Sequence, residues 1–149
     1  MTSDRITVER TINAPAASIF ALLSDAAKHS EIDGSGTVRG TSRGSHPLKL
    51  GSKFGMKMHI GASYKTSNEV VEFEQDRRIA WKTTGLKGLV GGRIWRYELA
   101  PVDGGTLVKE TWDVSQDKQK FFLKRSRLAP AAKVGMRKTL DRIATTLES

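Results

Sequence analysis

Hydrophobic and polar residues alternate along much of the chain up to about position 115, which predicts a protein built largely from β-strands. The first alternating stretch, RITVERTI at 5–12, is rich in β-branched residues and places Ile6, Val8 and Ile12 on one face. Because proline cannot donate a ladder hydrogen bond, this strand should end before Pro15. The pattern therefore predicts an N-terminal strand that gives way abruptly to another kind of structure.

Two short helices are predicted after this strand. Asn13 suits the position of a helix cap, and Pro15 suits the first helical turn. A second helical turn is predicted over 26–32, and the sequence DGSG at 33–36 should end it. The apolar side of the first helix is formed by Ile19, Phe20, Leu22 and Leu23.

Six further strands are predicted before the pattern changes. The segments between them are rich in Gly, Pro, Asp and Ser, which suits hairpin turns, so consecutive strands should pair antiparallel. No helical stretch interrupts them, which argues against a parallel α/β fold. In the third of the six, Val71 and Phe73 fit one face while Tyr64 and Val70 fit the other, which indicates a β-bulge. The predicted strands are 37–42, 53–60, 64–74, 78–85, 93–100 and 106–114.

A long amphipathic helix of about 17 residues is predicted at the C-terminal end of the sequence. Its single apolar stripe must be buried, and the only large apolar surface available is one face of the sheet. The preceding segment, 117–130, is predicted to form a short helix or a lid-like loop that ends at Pro130. The stripe consists of Ala132, Met136, Thr139, Leu140, Ile143 and Leu147.

Length and composition fit one domain that spans residues 1–149. The sequence contains no cysteine, which excludes disulfides, thiolate zinc sites and cysteine nucleophiles. The first ten residues, MTSDRITVER, carry acids instead of an apolar segment, so no secretory signal is predicted. We therefore expect a cytoplasmic location.

The net charge of +9 is concentrated near the C-terminal end. The stretch from Gln116 to Arg142 contains nine basic residues and only two acidic ones, which gives it a net charge of +7. A solvated helix face explains this best, while an acidic ligand, an anionic membrane or a nucleic acid is less favoured. Aromatic residues in this stretch are limited to Phe121 and Phe122, which gives little support to base stacking.

Signatures of metal, phosphate and serine chemistry are missing from the sequence. The three histidines, His29, His46 and His59, lie in different predicted elements without metal-ligand spacing, and each is predicted to be a surface or loop residue. No G-x-S-x-G motif occurs. The glycine-rich GSGTVRG leads into a strand instead of a helix, unlike a phosphate-binding loop. No cofactor and no metal are therefore predicted.

The order of strand, two short helices, six strands and a long helix resembles the helix-grip fold of the Bet v 1/START superfamily. It most resembles the bacterial polyketide cyclase/dehydrase-like (SRPBCC) group. The resemblance rests on ITVERTINAPAASIFALLSD, EVVEFEQDRRIAWKT, WRYELAPVDGGTLVKETWDV and TLDRIATTLE. It implies an α+β domain in which a curved seven-stranded antiparallel sheet wraps around the long C-terminal helix. It also implies that the space between sheet and helix holds an apolar ligand.

Alternation within the strands predicts which side chains face this space. The inward set combines large aromatic residues with flexible thioethers, and a solid core fits this set as well as a ligand cavity does. The candidate ligand-binding residues are Phe54, Met56, Met58, Trp81, Trp95, Tyr97, Glu110, Trp112 and Met136.

Glu110 is the first candidate for a polar contact with a ligand. Alternation in its strand carries Glu110 inward beside apolar neighbours, where an unpaired carboxylate is costly and its pKa should rise. A buried Tyr97 also needs a hydrogen-bond partner, which Glu110 or a ligand oxygen could supply. The alternative is that Glu110 pairs on the outer face with a basic side chain such as Arg96 or Lys82.

Three functions remain open at this point. The first is binding or transport of a small hydrophobic molecule, lipid or polyketide-like, by a monomer or weak homodimer. The second is a polyketide cyclase/aromatase or dehydratase in which Glu110 and Tyr97 supply a base and a donor, although no catalytic signature is present. The third is an interaction protein that uses its basic C-terminal face.

Overall fold

The computed structural model describes residues 4–34, 38–41, 47–60, 62–85, 90–125 and 128–148. A strand and a set of short helical segments come first: β1 (Arg5–Ile12), α1 (Ala16–Leu23), a 3-10 turn (Ala26–Lys28) and α2 (His29–Ile32). Six strands follow: β2 (Val38–Thr41), β3 (Lys53–Ile60), β4 (Ala62–Glu74), β5 (Arg78–Gly85), β6 (Val90–Val102) and β7 (Gly105–Asp113). Two helices end the described chain: α3 (Lys120–Arg125) and α4 (Leu128–Leu147).

The strands described form one antiparallel sheet in the order β1-β7-β6-β5-β4-β3-β2. The consecutive strands β3 to β7 pair antiparallel with one another. Strand β1 joins the sheet by pairing with β7 along its whole length, from Arg5 opposite Asp113 to Ile12 opposite Thr106. The predicted α+β class, with an antiparallel sheet and a C-terminal helix, is confirmed. Within the described residues, no helix has the length and hydrophobicity needed to cross a membrane.

The predicted bulge in β4 is confirmed. The pairing of β4 with β5 shifts register between Val70 and Glu72. This extra residue lets Val70 be buried before the bulge and Phe73 turn inward after it, where the Phe73 ring meets the Phe20 ring at 5.4 Å. The bulge therefore keeps both ends of a long strand in contact with the core.

Two predictions about helix ends are wrong. The N-cap residue of α1 is Pro15, and no side chain caps this end of the helix. Asn13 lies too early to cap it, and its backbone N–H donates instead to Glu148 near the end of α4, at 2.8 Å. Pro130 does not end the segment before α4, because α4 already begins at Leu128. A proline is tolerated in the first helical turn, where the backbone N–H groups lack helical acceptors.

Helix α4 covers only one side of the sheet. It packs chiefly against β1, touches β7 more lightly, and also contacts α1, α2 and α3. Its buried stripe includes Met136, Leu140 and Ile143, which join Val8 and Ile12 of β1 in the core. The inner faces of β3 to β6 are therefore left partly uncovered, and this is where a cavity forms.

The segment after α2 is held against α4 by a close backbone approach. The Gly34 N–H donates to Thr139 Oγ1 at 2.9 Å, and that hydroxyl donates to the Gly135 carbonyl at 3.0 Å. A Cβ atom at Gly34 would collide with Gly135, Lys138 and Thr139. Glycine at this position therefore sets how closely the α2 segment approaches α4.

Candidate functional site

A cavity of about 570 Å³ lies between the inner face of the sheet, α2 and α4. Its walls are mainly apolar and are built by alternate residues of β3 to β7 together with one face of α4. Leu128, Val134 and Lys138 line the cavity and are also exposed, so they mark its opening. The space is therefore open to solvent beside the N-terminal half of α4.

Eight of the nine candidate residues line this cavity, and all nine lie in the described part of the chain. The exception is Phe54, which is buried behind the cavity wall. The centre of its ring lies 5.6 Å from that of His29 and 5.9 Å from that of Trp81, both in edge-on contacts. Phe54 thus supports the wall without reaching the space. The eight that line it are Met56, Met58, Trp81, Trp95, Tyr97, Glu110, Trp112 and Met136.

His29 was predicted to be a surface or loop residue, and this prediction is wrong. The His29 ring is buried, stacks on Trp81 at 4.7 Å and lines the cavity. Its Nε2 lies 2.8 Å from the Leu23 carbonyl oxygen, and burial lowers the pKa of the ring. Nε2 therefore carries the proton as a donor, and the neutral ring leaves Nδ1 as an acceptor.

The other two histidines differ from His29. His59 is exposed, as predicted, and its Nδ1 lies 3.3 Å from Ser63 Oγ. His46 lies outside the described residues. Among the residues described, no three His, Asp or Glu side chains gather as a metal site would require.

Glu110 points inward and provides the cavity's buried acid. It is 2% exposed and lies opposite Tyr97 in the pairing of β7 with β6. The Tyr97 hydroxyl hydrogen-bonds to the Glu110 side chain. In the described part of the chain, the other carboxyl oxygen, Oε1, has no hydrogen-bond partner. A buried polar atom without a partner is unusual, and it marks the place where a ligand group could bind.

Burial governs the protonation of Glu110 and Tyr97. It raises the pKa of Glu110 to about 8, an effect that the Tyr97 hydrogen bond opposes and the nearby charge of Asp33 reinforces. Burial, followed by the charge of Glu110, also raises the pKa of Tyr97 well above its ordinary value. Near neutral pH the cavity therefore holds a neutral phenol beside a carboxyl group that is mostly protonated.

The alternative pairing of Glu110 on the outer face is wrong, because the basic residues there have other partners. Arg96 binds Glu72 at 2.6 Å and Asp113 at 3.5 Å. Lys82 Nζ lies 3.5 Å from the side-chain oxygen of Gln116. Period-two alternation thus placed Glu110 on the correct face.

A second group of polar residues, on β4 and β5, was only partly predicted. Thr83 lies two residues after Trp81 in β5, so alternation puts both on the same inner face, and the Thr83 hydroxyl donates to Asn68 Oδ1 at 2.7 Å. The Asn68 amide donates to the Phe54 carbonyl at 3.3 Å, so its hydrogen bonds are made within the protein. Asn68 and Thr66 were missed because the bulge later in β4 made the faces of that strand ambiguous.

Comparisons with known proteins agree with this architecture. A family model described as polyketide cyclase / dehydrase and lipid transport matches residues 3–148. Among curated proteins, the chain is 35% identical over 111 residues to the uncharacterized protein Rv0088 of Mycobacterium tuberculosis. That match covers 73% of this chain and 47% of the relative, so the chain spans about half the length of the curated relatives it matches.

Solved structures show the same fold at low sequence identity. Protein CV1439 of Chromobacterium violaceum superposes with a TM-score of 0.76 at 15% identity, covering 98% of both chains. Cgl2372 of Corynebacterium glutamicum, described as Polyketide_cyc-like, has a TM-score of 0.59 at 23% identity and covers 98% of this chain and 92% of its own.

Proposed function

The chain belongs to the polyketide cyclase/dehydrase and lipid transport family, and from this premise we propose that it binds a small hydrophobic ligand in the cavity between the sheet and α4. The observation that carries the proposal is an aromatic-lined space of about 570 Å³ with one unsatisfied carboxyl oxygen inside it. Protein interiors are close-packed, and ligand sites typically measure about 300–1,000 Å³. A space of this size and chemistry is therefore well suited to a ligand.

The proposed ligand is largely apolar and carries a polar group at one end. Its apolar body would pack on Met56, Trp81, Trp95 and Trp112. Its polar group would reach Glu110 Oε1, which is a donor while the carboxyl is protonated and an acceptor once it is ionised. A hydroxyl group satisfies both states, whereas a ligand carboxylate placed there would be repelled as Glu110 ionises.

The chain's three tryptophans all line the cavity, so their fluorescence reports its occupancy directly. Titration with 2-naphthol, an aromatic probe that carries one hydroxyl, should shift the tryptophan emission and saturate. Ala132→Phe, which fills the cavity from α4, should abolish the shift, while Ala17→Phe on the exposed face of α1 should not. Saturable binding that survives in the Ala132→Phe variant would place the ligand elsewhere and contradict the proposal.

The second candidate function is catalysis on such a ligand, as in a cyclase/aromatase or dehydratase. Its support is the pKa of Glu110 near 8, close to the range in which a side chain can both give and take a proton at neutral pH. In that case Glu110 is the acid or base and Tyr97 is the donor. Glu110→Gln and Tyr97→Phe would then abolish turnover while ligand affinity is kept, whereas a pure binding protein would show only modest changes in affinity.

A further inference from the structure

Four large apolar side chains are exposed within 14 positions of the chain. Phe121 and Phe122 on α3 are 66% and 67% exposed, and Leu128 and Val134 on α4 are 44% and 52% exposed. Single exposed apolar residues are common, but four of them on two helices that contact each other indicate an interaction surface. These four do not belong to the buried stripe of α4, so the folding of the domain does not require them.

Positive charge surrounds these apolar residues. The nine basic residues between Gln116 and Arg142 flank them in the sequence. The ammonium groups of Lys120 and Lys124 lie 5.2 and 5.9 Å from the centre of the Phe121 ring. Lys124 also pairs with Asp4 at 2.9 Å, so its charge is partly compensated. On α4 the exposed basic side chains are Lys133, Arg137, Lys138 and Arg142, and Arg142 also donates to the Asp33 carbonyl.

The cavity opens into the same region. Leu128 and Val134 are exposed on one side and line the cavity on the other. A ligand that leaves or enters by this opening therefore passes exposed apolar residues bordered by lysine and arginine.

We propose that α3 and the N-terminal half of α4 form a membrane-docking surface that binds anionic lipid bilayers with the cavity opening towards the lipid. A combination of exposed apolar and basic side chains is what binds the interface of an anionic bilayer. The part of the proposal that concerns ligand passage rests on the proposed function, whereas docking itself does not.

Single-stranded nucleic acid and a second copy of this chain fit the surface less well than an anionic bilayer does. Leu128 and Val134 are aliphatic and cannot stack on nucleotide bases, which is how exposed aromatic residues contribute to binding single-stranded nucleic acid. A second copy of this chain carries the same net charge of +9, so like charges would oppose its approach. An anionic bilayer complements both the charge and the apolar residues.

The test is flotation of the full chain with vesicles of phosphatidylcholine alone or with 30% phosphatidylglycerol. We expect binding only to the anionic vesicles and loss of binding at high salt. Phe121→Ser/Phe122→Ser should reduce partitioning at least about tenfold, and Lys133→Glu/Arg137→Glu should reduce it by about fivefold or more for each charge reversed. Leu50→Ser/Val102→Ser, which removes two exposed apolar residues elsewhere, is the matched control and should bind normally.

Each other outcome overturns a defined part of the proposal. Equal flotation of the Phe121→Ser/Phe122→Ser variant and the unmodified chain would overturn docking through this surface. Tight, salt-sensitive binding to a DNA or RNA oligonucleotide without vesicle binding would assign the surface to nucleic acid instead. The 2-naphthol titration separates the two proposals, because the surface variants should keep probe binding. Vesicle binding without any probe binding would instead refute the cavity function and leave docking intact.

Discussion

Replacing the buried acid of the cavity should change how the stability of the protein depends on pH. In the unfolded chain Glu110 titrates near its ordinary pKa of 4.5, whereas in the folded protein burial raises the pKa to about 8. Between these values the folded state holds a proton that the unfolded state has released. The free energy of unfolding therefore falls as pH rises through this window, and the loss is complete once pH exceeds the folded pKa.

The size of this effect follows from the two pKa values. Each pH unit inside the window costs about 1.4 kcal/mol, so between pH 5.5 and pH 8 Glu110 should cost the folded state about 3 kcal/mol. Glu110→Gln keeps the shape of the side chain and removes the titration. The stability of the Gln variant relative to the unmodified protein should therefore rise by about 3 kcal/mol over that range and level off above it.

Urea denaturation followed by tryptophan fluorescence at half-unit pH steps would measure this difference. Glu69→Gln is the matched control, because Glu69 is exposed on β4 and this variant shows what the loss of a surface carboxylate does to stability. If the stability difference between Glu110→Gln and the unmodified protein did not change with pH, the Glu110 carboxyl would titrate normally in the folded state. The reasoning about its burial and its unpaired oxygen would then be refuted.

Three further substitutions test the framework around the cavity. Gly34→Ala should destabilise the protein by about 1–3 kcal/mol, because the Cβ atom of the new alanine collides with Gly135 and Lys138. An unchanged urea midpoint would show that the α2 segment can move away from α4 freely. Arg96→Met should lower stability by about 2 kcal/mol at pH 7. That loss should shrink as pH falls below 4, because Arg96 lowers the pKa of Glu72 and the pair contributes only while Glu72 is ionised. Pro130→Ala should alter the melting temperature little, since the first helical turn needs no N–H donor there, and a large change would mean that the proline has another role.

The sequence predicted the sheet well because the alternation of apolar and polar residues along a strand depends only on which face of the strand is buried. Trp81, Trp95, Tyr97 and Trp112 were all placed inward, and Glu110 was carried with them although it is charged. Phe54 shows the limit of this argument. It shares the inner face of β3 with Met56 but lies under His29, so it contributes to the core and not to the lining.

The errors concern short segments whose position depends on tertiary contacts. The four-residue helix that carries His29 is too brief to show periodicity, so nothing in the sequence distinguishes a buried ring from an exposed one. Its burial follows from stacking on Trp81, a residue 52 positions away in the chain. In the same way, Asn68 could be assigned to a face only once the register shift between Val70 and Glu72 was known.

The lining of the cavity also bears on what fills it. The space is open to solvent beside the N-terminal half of α4, so water can enter its polar opening near Lys138. Water gains little against Trp81, Trp95 and Trp112, because transfer of apolar surface out of water is favourable. The aromatic wall thus favours an apolar occupant, and the unsatisfied oxygen of Glu110 favours one that carries a polar group.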